Sequence, residues 1–446
     1  MVAVRRRSRG PVAPNYTQAD VIALSEANNE PEWLREFRLS SWDLYERIPM
    51  PTTEDEGWQR TDYSGIRWDE ADKIVAANGV TRDSVPAATL EPLVGEGEGG
   101  TMVFVDGKLV HHEFSDELAD SGLIFTDLST AASEHEKLFR ANFMKKSVLP
   151  DDGKFAALHA ALWTHGVFVY VPRNVVAELP LHVVMYNTHS GANLGHVLVV
   201  CEENSQATIQ VEYASEDDDQ KHSAYIGATE LLLGDAANLK YVALQNWNRQ
   251  TYEFSHQSAR VGQDANLDWI VGTMGSRFVK AYLEINLDGK GANGRMSGFF
   301  FADKKQHFDL DTMQIHNSPL TTSDLLFKGA GKDISRTVWQ GMIKSLPRMQ
   351  KIDGYQVCRN LLLDDDARMD GIPGLEIEAD DVACSHAATF GTLEDEPVFY
   401  LMSRGIPRDE AELMLIGGFF DELLQRIPFD RVRDRLHEAI EMKILD

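Results

Sequence analysis

Four short stretches recur along the middle of the chain. Ala207-Thr208-Ile209, Ala237-Asn238-Leu239, Ala265-Asn266-Leu267 and Ala292-Asn293-Gly294 lie 30, 28 and 27 residues apart, and the last three each follow a glycine by three positions, at Gly234, Gly262 and Gly289. Between them run short stretches rich in β-branched and aromatic residues, at Val167–Val171, His196–Val200, Ala207–Tyr213, Thr229–Leu233 and Leu239–Leu244. A strand-rich unit of this length cannot bury its own inner face, so successive units must stack as coils of a solenoid. The competing reading is a β-sandwich whose turns recur by accident, but sandwich strands follow each other at about 8–12 residues without a longer register. The texture continues through Ser297–Phe301, Phe308–Ile315 and Val357–Leu363 and stops after Phe390-Gly391. The fold class expected is therefore mainly β, a parallel solenoid over residues 166–393.

Both flanks read differently. Thr17 with Asp20 three residues later opens a first helix, and Pro31 begins a second in which Leu34, Phe37, Ser41, Leu44 and Ile48 recur at helical spacing until Pro49 and Pro51. Gly95–Gly100 is a flexible joint by composition, and Val103–Val110 reads as a hairpin about Asp106-Gly107. A short apolar helix is expected over Ala156–Trp163, which makes residues 1–165 a mixed, helical region. Residues 394–446 form a helical domain, with Leu413, Ile416, Phe420, Leu423 and Ile427 on one face, Val432, Leu436 and Ile440 on the next helix, and a break expected at Gly417-Gly418.

Charge and cysteine content narrow the function. With 43 basic and 70 acidic residues the formal charge is -27, which disfavours a nucleic-acid groove because most of the surface would repel phosphates. The basic run Arg5-Arg6-Arg7-Ser8-Arg9 is a solvated tail that lacks the apolar stretch of a secretory signal. No stretch approaches the roughly 18 consecutive apolar residues that span a bilayer, so no membrane association is expected. Three cysteines, Cys201, Cys358 and Cys384, make no disulfide framework and suit a reducing, cytoplasmic setting.

Three groups of residues have chemistry to offer. Cys384 and His386 are two apart, and in an extended strand they share a face, so a thiolate and an imidazole can meet one metal ion or one reacting atom. The bland alternative is a buried small thiol beside a surface histidine. Cys358 precedes Cys384 by 26 residues, close to one coil, which would stack the two sulfurs. His307, Asp309 and Asp311 alternate along a strand with His316 further on, a row able to hold a divalent metal or to be simply a solvated face. A phosphate-binding Gly-Lys-Ser/Thr loop, a nucleophile elbow and a CxxC pair are all missing, so no nucleotide is expected on this chain and any ATP must come with a partner.

The run Arg359-Asn360-Leu361-Leu362-Leu363, then Glu376-Ile377, Ala379-Asp380-Asp381-Val382, Cys384-Ser385-His386-Ala387-Ala388-Thr389, Phe399-Tyr400 and Ser403-Arg404-Gly405-Ile406, resembles the SufB/SufD family of iron-sulfur cluster assembly proteins, its SufD branch in particular. Pro31-Glu32-Trp33-Leu34, Pro49-Met50-Pro51 and Gln306-His307 carry the likeness upstream, with a weaker zone over residues 60–165. The resemblance implies a right-handed parallel β-helix between two helical regions. It also implies a non-enzymatic scaffold that pairs through its β-helix with a SufB-like paralogue and docks a SufC-type ABC ATPase through the C-terminal domain, at Ser403, Arg404, Gly405 and Ile406. His386 takes the place of the family's interface ligand for a nascent iron-sulfur cluster or iron, with Cys384 beside it. A flavin is compatible with such a system, but no motif here calls for one. Cys358 departs from the pattern: the SufD branch carries a small polar residue there and the SufB branch its essential cysteine. A homodimeric scaffold acting without SufB is thus an alternative, and a carbohydrate-active β-helix enzyme, hinted at only by Asp309 and Asp311, is a rival from another class.

Overall fold

The computed structural model describes residues 13–74, 79–91, 97, 99–218 and 220–445, so the basic tail Arg5–Arg9, Asp219 and half of the Gly95–Gly100 joint lie outside the described residues. Two sheets of ten strands each form a parallel solenoid of about 8 turns. One sheet runs from the hairpin Gly100–Val105/Lys108–Phe114 through Leu181–Asn187, Gln206–Ser215, Asn238–Asn246, Asn266–Thr273, Asn293–Ala302, Thr322–Gly331 and Ile352–Leu362 to Val382–Thr392 at the far edge. The other ends at Arg368–Ile377, next to Arg336–Ser345, His307–His316 and Phe278–Leu287. The hairpin is turned by Asp106 and Gly107, both at positive φ (49° and 79°), the pair of angles that a type I′ turn requires.

The repeated asparagines are a ladder. Asn238, Asn266 and Asn293 pair in register at intervals of 28 and 27, and the later two each donate from the side-chain amide to the side-chain oxygen of the coil before, Asn266 to Asn238 at 3.0 Å and Asn293 to Asn266 at 3.2 Å. The corners are equally tight: a Cβ on Gly289 would lie 1.9 Å from the Gln263 nitrogen of the coil before. The first interval differs from the sequence reading. Leu239 pairs with Ala207, so that coil is 32 residues rather than 30, because residues 216–222 make a longer connection than residues 247–250 of the next coil.

Strands in the middle bury both faces. Leu239, Tyr241 and Ala243 point into the solenoid, while Val242 and Leu244 meet Ile416, Phe420, Leu436 and Ile440 of the C-terminal helices Arg408–Leu424 and Asp430–Leu445. Helix Arg408–Leu424 runs unbroken through Gly417-Gly418, where an added Cβ would meet nothing within 4 Å, so no packing demand turns the pair into a break. On the opposite side, helices Gln18–Ala27, Glu32–Arg47 and Lys154–Leu162 cover the second sheet, with Trp42, Tyr45 and Phe155 in one apolar cluster with the strand residue Phe254, and the Thr17 N–H donates to Asp20 at 2.7 Å in the expected cap. Among the described residues no helix is long and apolar enough to cross a membrane.

Candidate functional site

Among the described residues the strand Val382–Thr392 is the edge of its sheet and has one hydrogen-bonded neighbour, Ile352–Leu362. Register places Gly354 beside Cys384, Gln356 beside His386 and Cys358 beside Ala388. Cys358 lies in the solenoid core, so the alternation of side chains puts Cys384 and His386 on the same, inward face. No coil follows. The inward face therefore opens to solvent at this end, leaving Cys384 half-buried and His386 exposed.

The Cys384 sulfur sits over a gap left by its neighbour. A Cβ on Gly354 would lie 3.2 Å from Cys384 Sγ and 3.4 Å from His316 Nε2, so the missing side chain leaves the thiol facing a buried imidazole of an earlier coil. His316 is held by Thr321 Oγ1 at Nδ1 (2.7 Å) and Ser323 Oγ at Nε2 (2.9 Å), and burial pushes it down to about 4, which keeps it neutral. Gln356 donates to the Gly341 and Gly374 carbonyls, while its own side-chain oxygen finds no hydrogen-bond partner among the described residues. Burial pushes the Cys384 thiol up, offset in part by a backbone hydrogen bond from Gly354.

Two sequence expectations are corrected. Cys358 does not stack on Cys384: the coil here is 30 residues, and Cys358 lies four positions, about 13 Å, further along its strand. It is fully buried, its thiol pushed well up by burial and donating to Asn360 Oδ1 at 3.6 Å. The row of His307, Asp309, Asp311 and His316 is also divided. His316 points inward, while the other three face outward under the N-terminal segment. There Lys280 Nζ donates to Asp309 (2.9 Å), Asp311 (2.8 Å) and the Gly57 carbonyl (2.7 Å), Gln340 donates to Asp311 (2.7 Å), and the Thr61 hydroxyl bonds Asp309. With a buried ammonium where a metal would sit, this row is an anchor that clips the segment around residues 57–61 across three coils. The same neutralisation removes the one hint of paired catalytic carboxylates. Among the described residues no group of three or more His, Cys, Asp or Glu side chains is placed to hold a metal, so Cys384 and His386 bring at most part of a ligand set.

A second surface lies nearby. Helix Asp395–Ser403 ends in the turn Ser403–Ile406, with Gly405 at φ 91° and the Arg404 guanidinium 5.1 Å from the Tyr400 ring. Phe399 (71% exposed), Tyr400, Met402 and Met414 leave apolar surface uncovered around it. The sequence had marked the turn but not this face, whose signal is that Phe399 and Tyr400 fall off the stripe defined by Val398.

The family model for the SUF system FeS cluster assembly SufBD core domain matches residues 184–419, and that for the SufBD protein N-terminal region matches residues 18–183. The iron-sulfur cluster assembly protein SufD of Bacillus subtilis is 33% identical over 437 residues, covering 95% of this chain and 96% of that protein. The chain belongs to the SufBD family. An iron-sulfur cluster assembly SufBD family protein of Staphylococcus epidermidis is 29% identical over 442 residues, covering 96% of this chain and 92% of its own. The SufBD core match takes in the solenoid from Val184, the edge strand with Cys384 and His386, and the turn Ser403–Ile406. It is a SufD-like iron-sulfur cluster assembly protein of the SUF system, and Cys384 and His386 lie together at the open end of its β-solenoid.

Proposed function

We propose that this chain is a scaffold subunit in which Cys384 and His386 supply part of the ligand set for a nascent iron-sulfur cluster or iron, the rest coming from a SufB-like chain paired along the open strand Val382–Thr392. The observation that carries this reading is the inward face of that strand, which presents a thiol and an imidazole together where the solenoid stops. The unpaired backbone edge beside them is suited to a second chain. The apolar face of Phe399, Tyr400 and Met402 around the turn Ser403–Ile406 suits a SufC-type ABC ATPase, whose ATP-driven motion the chain receives without catalysing hydrolysis itself. Cys358, buried beneath the last coil, supplies no ligand in this arrangement. A cytoplasmic location goes with the reading.

Co-purification tests it. Tagged chain expressed with the paralogue and the ATPase is expected to elute as one complex, and Phe399→Asp to lose the ATPase while keeping the paralogue. A chain that elutes alone, or a Phe399→Asp complex of unchanged mass, would count against it.

A further inference from the structure

An edge strand held by one neighbour inherits its position from that neighbour, so whatever fixes Ile352–Leu362 fixes Cys384 and His386. The outward face of that neighbour carries Arg359, which pairs in register with Lys328 on one side and Thr389 on the other. Both cations converge on one carboxylate. Glu422 Oε2 lies 2.7 Å from Arg359 Nη1 and 2.9 Å from Lys328 Nζ, and Lys328, 5% exposed, also donates to the Phe419 carbonyl at 2.5 Å. Two adjacent coils are thereby pinned to helix Arg408–Leu424, one end of which follows the turn Ser403–Ile406. The Lys328 hydrogen bond, with Arg359 close by, holds the Glu422 carboxyl below its ordinary range, as an engaged carboxylate is held.

We propose that Glu422 is a positioning residue for the site: through Arg359 and Lys328 it holds the penultimate strand of the sheet, and with it the edge strand bearing Cys384 and His386, against the C-terminal helix. It rests on the reading of Cys384 and His386 as the ligating pair. An isolated surface ion pair would do little, but here one carboxylate joins a buried ammonium and a guanidinium of neighbouring coils, and apolar packing on the same helix keeps the geometry. A rigid helix of 17 residues with its other end at the uncovered Phe399 face also gives anything docked there a direct hold on the site.

Iodoacetamide labelling of Cys384, followed by mass spectrometry on the full chain at pH 8, reads the position of the strand because Cys201 and Cys358 are buried. Glu422→Gln and Arg359→Gln are each expected to raise the labelling rate about 5-fold, and the double variant no further than either alone, as members of one network behave. Arg359→Lys, which keeps the charge, is expected to stay within about twofold of the parent. A Glu422→Gln rate within twofold of the parent, or a double variant whose effects multiply, would overturn the proposal. Labelling does not depend on cluster formation, so this outcome is separable from failure of the ligand reading, which would show as unchanged cluster yield in Cys384→Ser.

Discussion

The middle coils and the last coil of the solenoid share one strand geometry and differ in what surrounds them. Around Trp269 and Phe300 each strand has a neighbour on both sides, an apolar interior and an outer face covered by helices. At Val382–Thr392 the strand has one hydrogen-bonded neighbour among the described residues, and the interior shrinks to Ala388 and Gly371, with Phe390 47% exposed and Leu375 39% exposed. The braces stop short as well: the N-terminal anchor reaches Gln340, and the C-terminal helices touch the last strand chiefly at Ala387. Burial is thus concentrated in the middle coils, and Cys384 and His386 stand where stacking ends, in a region of few buried contacts.

That contrast can be broken in order of effect. Trp269→Ala is expected to lower unfolding stability by about 3–5 kcal/mol, since it empties a fully buried indole site, with the denaturant midpoint by circular dichroism as the measure. Lys280→Ala strands Asp309 and Asp311 without their cation and is expected to cost about 3 kcal/mol, with new proteolytic cleavage in the released segment near Gly57. Phe390→Ala, in the exposed coil, is expected to cost only about 0.5 kcal/mol on the same midpoint; a loss as large as that of Trp269→Ala would abolish the distinction. The smallest effect is kinetic. Burial disfavours the Cys384 thiolate and so raises its pKa, which predicts slow iodoacetamide labelling at pH 7 and a rate that climbs only on the alkaline side of the ordinary thiol range. Fast labelling already at pH 7 would show a thiol more open than this structure allows.

The solenoid was legible because stacking demands like residues at like positions, as in the ladder of Asn238, Asn266 and Asn293. Register between distant coils was not, since each corner adds or drops residues: intervals of 29, 31 and 30 follow from Asn293 to Thr322, Asp353 and Ala383. That drift is why Cys358 missed Cys384. Strand parity alone separates His316 from His307, Asp309 and Asp311, but the cation that occupies the row, Lys280, lies 29 residues upstream of Asp309 and becomes its neighbour only through stacking. Strands such as Arg368–Ile377, with two glycines and a proline, have little β propensity of their own and form because the preceding coil templates them. Cys384 and His386 were readable because their spacing needs only one extended strand.

The most direct test of the central claim is the visible absorbance of the proposed complex, this chain co-expressed with a SufB-like paralogue and a SufC-type ATPase, after anaerobic reconstitution with iron and sulfide, comparing the parent with His386→Ala. If the open end of the solenoid supplies ligands, His386→Ala assembles to the same mass and loses most of the cluster absorbance. A complex of unchanged mass with undiminished absorbance would contradict it.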